Sequence, residues 1–450
     1  MMVLCFMVAC ICALDRVAMS VAILPMTAQF NYSDVTKGLI SSVFSWGYLV
    51  GLVPAGVLGS FSSPKVVMGS GVVLWSLAQM LSPMAAANSL NALLVCRFFM
   101  GMSEAVTVPT IQGIVSQWVP REQRSRWLSL IISGLQLGTV LAYLVSPAVI
   151  RQLGWEGLFL LYGGLGLAWM GLWIPLAKGE PPVDVQMQVL SSDGLVAEAA
   201  QLQARSLNLG ETSQDDEATQ GSESKPEVGM DMFQGLRDIP WKQIVTDRPI
   251  QATTAAHMAH NWGLYVMIAW LPSYFNQEFH LSLAQSSQSS VLPWVVGAAC
   301  GISSGWLADG LVNQEILDTT SVRRLFQLAA SVGPAACFVA LALGIDDPHQ
   351  AATLFTVAVG LGSLSASGFG SSIQDLRTKY TSVIYSLTSA AACLAGSIGT
   401  YLTGVALEST HSWTLPFLCT AGAYGIGGVI YASFYEAKPF LHEELASKEQ

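Results

Sequence analysis

Six ionisable side chains stand where the surrounding sequence is apolar: Asp15, Arg16, Arg97, Glu104, His257 and His260. A charged group at the centre of a bilayer costs about 2.5–3.5 kcal/mol on insertion scales, so those kept there mark function or buried pairing. Arg97 and Glu104 are seven residues apart, two helical turns, which puts them on one face about 10 Å apart along the axis. Gly101 lies between them and leaves room for a ligand or a neighbouring helix. Read as function, Arg97 is an anion ligand and Glu104 a proton carrier or its counter-charge; read as structure, both belong to an ion-pair network between helices. Arg16 follows Asp15 directly, and adjacent helical residues point about 100° apart, so the two cannot pair on one face. A planar guanidinium suits oxyanions. Arg16 is therefore read as a substrate contact and Asp15 as a structural bond to another helix. His257 and His260, at i and i+3, share a face with Asn261. Imidazoles titrate near neutrality and can couple anion uptake to protons, or they are hydrogen-bonded packing residues. His260 is the preferred candidate, with Asn261 beside it as a substrate contact.

The elements that must carry these groups are membrane spans. The chain has 450 residues, 52% hydrophobic and 11% charged, where soluble domains carry about a quarter charged. Segments of about 20 apolar residues suit a hydrocarbon core of about 30 Å. They recur near 3–26, 36–60, 66–86, 90–114, 127–150 and 157–177, then near 250–275, 287–309, 324–344, 350–373, 381–406 and 413–435. The predicted fold class is an all-α membrane protein of twelve transmembrane helices in two six-helix bundles.

The predicted organisation is an N-terminal bundle at 1–178, a linker at 179–246, a C-terminal bundle at 247–437 and a polar tail at 438–450. Residues 179–238 hold twelve acids against Arg205, Lys225 and Arg237, a balance of −9 within the total of −10. With little apolar surface to offset its ordering entropy, this linker is expected to be disordered. Lys65, Arg121, Arg124, Arg126, Arg323, Arg324, Arg377 and Lys379 fall on one side of the membrane, against Lys37 and Arg151 on the other. That bias places the even-numbered loops, the linker and both termini in the cytosol-like compartment. The first span lacks the layout of a secretory signal, because Asp15 and Arg16 sit in its middle.

The eight cysteines form no CxxC or Cys/His cluster and are read as small packing residues, so no metal or other cofactor is expected. Gly297, Gly301 and Gly305 in the eighth span, and Gly134 with Gly138 in the fifth, are read as close-packing ladders. No phosphate-cradling loop, metal-ligand spacing or Ser/His/Asp set points to an enzyme. The halves share a pattern: "WGYLVGLVPAGVLGS" (46–60) and "WVVGAACGISSGWLADG" (294–310) each open on an aromatic and close on G-x-x-[GA]-[SD]. Two such units around a central cavity is the build of many secondary transporters.

Longer stretches carry a family resemblance: "DRVAMSVAILPM" (15–26), "FSWGYL" (44–49), "CRFFMGMSEAVTVPT" (96–110), "WVPREQRSR" (118–126), "SGLQLG" (133–138), "HMAHNWGLYVMIAWLPSYFNQ" (257–277), "VLPW" (291–294) and "GWLAD" (305–309). Together they resemble the anion–cation symporter branch of the major facilitator superfamily, which includes sialin, the vesicular glutamate transporters and the type I sodium–phosphate cotransporters. The nearest likeness is to the plant phosphate transporter 4 family of plastid and Golgi membranes. The resemblance implies alternating access, a plastid membrane (with Golgi or another endomembrane as the alternative) and a monomer without nucleic-acid partners. It places the family's first-span arginine on Arg16, its fourth-span arginine and glutamate on Arg97 and Glu104, and a seventh-span basic position on His260. It also implies gating positions, and there the chain departs from the pattern. Ser60 replaces the usual aspartate after the second span, whereas Asp309 and Asp375 are kept and Ser372 and Thr378 replace an asparagine and a proline. The expected function is secondary transport of inorganic phosphate or a related small anion, coupled to Na⁺ or H⁺. An organic anion such as ascorbate or a carboxylate is the first alternative. A non-transporting sensor derived from a transporter is the second.

Overall fold

The computed structural model of the chain describes residues 1–119, 121–179, 181, 182, 185, 239–376 and 381–438. The helices of the first half are α1 (Met2–Phe30), α2 (Asp34–Phe61), α3 (Pro64–Asn88), α4 (Leu90–Glu104), α5 (Thr107–Trp118) and α6 (Arg121–Leu176). Those of the second are α7 (Trp241–Thr246), α8 (Arg248–Phe279), α9 (Leu283–Ser289), α10 (Leu292–Asn313), α11 (Thr319–Ala342), α12 (Pro348–Gly362), α13 (Phe369–Asp375), α14 (Thr381–Thr410) and α15 (Thr414–Phe434). A 3₁₀ turn, Ser363–Ala366, joins α12 to α13.

Local chemistry sets the ends. Asn31 stops α1 in the left-handed conformation at φ 55°, which asparagine tolerates. Ser89, Asp247, Asp318 and Asp347 each accept a backbone N–H at the start of α4, α8, α11 and α12. Ser282 and Gln285 form a reciprocal capping box on α9.

All twelve sequence segments lie mostly on helix, with breaks at 105–106, 290–291 and 363–368. Nine helical stretches among the described residues are long and apolar enough to cross a membrane. One of them, Leu130–Leu176, has 47 residues, or roughly 70 Å of straight helix, more than twice the core thickness. It is a hairpin. Gly154, at φ 77° and ψ 171°, breaks the helix. Ser146 and Tyr162, sixteen residues apart, then meet side chain to side chain at 2.9 Å. With its two legs counted separately and α2 and α8 added, the helices are consistent with twelve crossings. Large apolar side chains such as Met84, Trp306 and Leu343 face outward, the surface a bilayer requires.

Within each half the helices pack around their own apolar core. Trp75, Met100, Trp169 and Trp173 anchor one, and Tyr274, Phe338, Phe355 and Phe417 the other. The predicted fifth-span glycine ladder seats α6 on α1. A Cβ on Gly138 would lie 2.2 Å from the Cys10 carbonyl oxygen, and one on Gly134 2.7 Å from that of Phe6. The eighth-span ladder is only partly used: Gly297 meets Val359 and Gly301 meets Ser363, but Gly305 has no neighbour within 4 Å.

The halves meet at the end remote from the basic loops. There Glu408 of α14 accepts the backbone N–H of Val35 at 2.8 Å, and Asp34 accepts from Gln277 of α8 at 3.0 Å. Lys37, read from sequence only as an outlying charge at a helix start, is buried and paired with Asp34 at 2.7 Å. Deeper in, Trp294 of α10 packs on Val17, Val21 and Tyr143. These contacts join the two halves at that end.

The expected disorder of the linker concerns residues that lie almost entirely outside those described, as do Arg377 and Lys379 and all of the tail beyond residue 438. The side chains of Ser60, Arg121, Arg124 and Arg126 are also outside the described set.

Candidate functional site

The fourth predicted span is two helices, and the break follows Glu104 directly. Glu104 thus ends α4, fully buried, with Arg97 two turns earlier on the same helix and exposed by only 2%. From α1, Arg16 donates through Nε to Glu104 Oε1 in a short ion pair, and Cys12 donates its thiol to the same oxygen at 2.9 Å. Arg16 and Glu104, separate candidates in the sequence, are one unit.

Asp15 faces the other way. Its Oδ2 accepts the Trp75 indole N–H from α3 at 3.2 Å, and its Oδ1 is buried without a hydrogen-bond partner. The expected divergence of Asp15 and Arg16 to different helices is what the structure shows.

Arg97 has no carboxylate within 4.0 Å among the described residues; Nη1 reaches only the Met100 sulfur at 3.2 Å, and Nε has no partner. Its guanidinium lies 5.0 Å from the centre of the Phe44 ring. Arg16 lies 5.5 Å from the same ring and 4.7 Å from that of Tyr48. The aromatic faces of α2 thus hold both cations in place.

α2 can come this close because glycines sit on both sides of the contact. A Cβ on Gly101 would lie 2.0 Å from the Phe44 carbonyl oxygen, and one on Gly47 would lie 1.9 Å from that of Phe98. The space at Gly101 is therefore taken by a neighbouring helix rather than by ligand.

Both arginines line a cavity at the join of the two halves, about 570 Å³ with its open mouth included. Ser20, Ser41, Ser45 and Tyr48 contribute hydroxyls from the first half, and Tyr265 and Thr400 from the second. Every formal charge in the wall belongs to the first half. Sequence reasoning missed Phe44, Tyr48, Tyr265, Thr400 and Cys12. For three of them the signal was helical spacing: Cys12 stands four residues before Arg16, and Phe44 and Tyr48 are four apart.

His257, His260 and Asn261 are not in this wall. His257 is buried, stacks on Phe369 at 4.6 Å and lies 3.4 Å from the Thr388 hydroxyl. His260 sits 5.7 Å from the same ring, with Nδ1 3.4 Å from the Ser365 hydroxyl. Asn261 presents its backbone carbonyl to Gly396 of α14. The two imidazoles thus meet neutral hydroxyls and a ring of the second half.

Asp375 pairs with Arg323 at 2.8 Å and accepts the Tyr435 hydroxyl at 3.1 Å, a lock inside the second half near the basic end. Asp309 is exposed near the end of α10.

Comparisons with known proteins show the family and the fold. Residues 4–400 match the model of the Major Facilitator Superfamily. The chain is 36% identical over 431 residues to the sodium-dependent phosphate transport protein 1, chloroplastic, of Arabidopsis thaliana, covering 96% of this chain and 78% of that one. It is 36% identical over 431 residues to the probable anion transporter 1, chloroplastic, of Oryza sativa subsp. japonica, covering 96% and 75%. It is 35% identical over 438 residues to the chloroplastic ascorbate transporter of Arabidopsis thaliana, covering 97% and 75%. Among solved structures, a bacterial homolog of the human lysosomal transporter Spinster, inward-facing and unoccupied, superposes with a TM-score of 0.65 at 16% identity, over 100% of this chain and 97% of that one. A D-xylose–proton symporter superposes at 0.66 with 13% identity, over 98% and 97%.

Proposed function

The chain belongs to the Major Facilitator Superfamily, among relatives that are plant plastid anion transporters, and on that premise we propose that it carries inorganic phosphate or a related small anion across a plastid membrane by alternating access. It is an integral multi-pass membrane transporter. The observation that carries the choice of an anion is Arg97. A buried guanidinium with no carboxylate in reach retains several kcal/mol of uncompensated desolvation, which an entering oxyanion offsets. Phosphate or a carboxylate can take the fork of Arg97 and the free face of Arg16 together.

Charge bookkeeping supports coupling to a cation. Arg16 and Glu104 pair directly, and Arg97 is balanced only at a distance, by Glu104 and then Asp15. An anion bound at Arg97 adds negative charge, which a proton on Glu104 or a sodium ion cancels. The relative's name supports sodium; the buried carboxylate supports a proton. We assign the coupling role to Glu104 and give His257 and His260 packing roles.

The test is uptake into proteoliposomes with Na⁺ and H⁺ gradients imposed separately. Arg97→Ala is expected to cut phosphate uptake by at least about 30-fold, since truncating one member of a buried charge contact costs about 2–5 kcal/mol. Wild-type uptake by this variant at unchanged expression refutes the assignment.

One observation favours a second substrate class. Six hydroxyls line the cavity, more than one phosphate ion needs as donors. A hydroxylated organic anion, as the ascorbate transporter's name suggests, would fill it better. Competition of labelled phosphate uptake by ascorbate separates the two.

A further inference from the structure

The cysteines looked like packing residues in the sequence, and seven of them hold no charged group in the structure. Cys12 is different. It is fully buried on α1, one turn before Arg16, and its thiol points at the Glu104 carboxylate.

The carboxylate is hydrogen-bonded through one oxygen only. Oε1 takes both donors, Arg16 Nε and the Cys12 thiol, whereas Oε2 is buried with no hydrogen-bond partner. Two donors converging on one oxygen fix the rotation of the carboxyl plane. They also make the two oxygens unequal, because a proton on Oε1 would have to displace a donor and a proton on Oε2 would not.

We propose that Cys12 is the positioning residue of Glu104: with Arg16 it occupies Oε1 and leaves Oε2 as the oxygen that gains and loses the proton. The proton comes from water and returns to it, and no other bond changes. This rests on the reading of Glu104 as the coupling carboxylate.

Other charges bear on the same group. Arg16 faces it from α1, where Asp15, turned toward Trp75, still lies within electrostatic reach, and Tyr48 bears on it from α2 and Arg97 from its own helix. From α3 the adjoining groups are neutral: the Trp75 indole bonded to Asp15, and Gln79, buried with both amide atoms unpartnered. Cys12 is thus a neutral donor to the carboxylate, and its replacement alters proton affinity without changing the local charge.

The experiment is a pH titration of purified full-length protein followed by infrared difference spectroscopy, which needs no substrate. The protonated-carboxyl band deleted by Glu104→Gln identifies the group. In Cys12→Ala one donor to the carboxylate is lost, the anionic form is less stabilised, and the midpoint of that band moves up by about 0.5–1 pH unit. Cys12→Ser, whose hydroxyl is a better donor of similar size, returns the midpoint to the wild-type value or below and keeps the proposal testable if the alanine variant fails to fold. An unchanged midpoint in both variants, or no band that Glu104→Gln deletes, overturns the proposal. Phosphate uptake in proteoliposomes separates this from the coupling reading. If the midpoints shift as stated but Glu104→Gln leaves gradient-driven uptake and its pH profile unchanged, Cys12 positions a purely structural carboxylate and the coupling reading fails instead.

Discussion

Replacing Gly101 by alanine tests the contact that holds the cavity's cations. The new Cβ would start 2.0 Å from the Phe44 carbonyl oxygen, and ordinary contact begins at 3.4 Å, so α2 and α4 must separate by about 1.4 Å. The obstacle is backbone, which cannot rotate away. Overpacking of this kind costs about 1–3 kcal/mol. At about 2–4 °C per kcal/mol for a unit the size of one half, the unfolding temperature falls by roughly 2–12 °C. The same movement carries the Phe44 ring from 5.0 Å to more than 6 Å from Arg97, past the useful range of a cation–π contact at about 6 Å. Anion uptake should therefore fall together with stability. Gly164→Ala is the control, since nothing lies within 4 Å of its Cβ and alanine favours helix by up to about 1 kcal/mol. Thermal unfolding in detergent, with proteoliposome uptake of phosphate, reads both variants. Equal behaviour of the two would show that backbone contact at Gly101 does not hold α2 in place.

Three further outcomes are expected. Glu408→Ala removes the carboxylate that caps α2 from the opposite half. A cysteine placed at Ser41 should then react faster with an impermeant maleimide applied from the end where Glu408 meets Val35, and an unchanged rate refutes the contact's role. Arg323→Ala leaves Asp375 with Tyr435 alone and should cost about 1–3 kcal/mol in thermal stability, with part regained in the Arg323→Ala/Asp375→Ala pair; strict additivity would disprove the lock. Burial raises the Asp247 carboxyl above its usual range, against the bond from the Ile250 N–H, so its ionisation costs stability that grows as pH rises past the unfolded value. Asp247→Asn keeps the cap and removes that cost, so it should match or exceed the wild type at neutral pH, while Asp247→Ala loses about 1 kcal/mol; equal melting of the two variants would count against this.

The charged part of the site was legible because membranes make charge expensive. Arg16, Arg97 and Glu104 each stood out singly, and two-turn spacing placed Arg97 and Glu104 on one face. What the cost could not say was where each group finds its partner. His260 shows this: the imidazole meets the Ser365 hydroxyl and the Phe369 ring and is not part of the wall that holds the two arginines. The neutral wall was invisible for the opposite reason. Serine, threonine and tyrosine occur wherever membrane helices pack, so Ser41, Tyr265 and Thr400 could be distinguished only once α2, α8 and α14 were set side by side. The hairpin in α6 was read as two spans by hydropathy alone, but the turn itself depends on the single residue Gly154.

Both guanidiniums, their carboxylate and Asp15 ride on α1 and α4, inside one half. A rocking motion of one half against the other therefore separates no opposite charges around the cavity; what slides past the anion is a face of Tyr265, Ile268, Ala269 and Thr400. Breaking an ion pair across that seam would make the turnover rate respond to dissolved salt. Here no such pair crosses the cavity wall. The carboxylates that do cross the seam, Asp34 and Glu408, meet a neutral amide and a backbone N–H, so added electrolyte should leave the return of the empty carrier nearly unchanged.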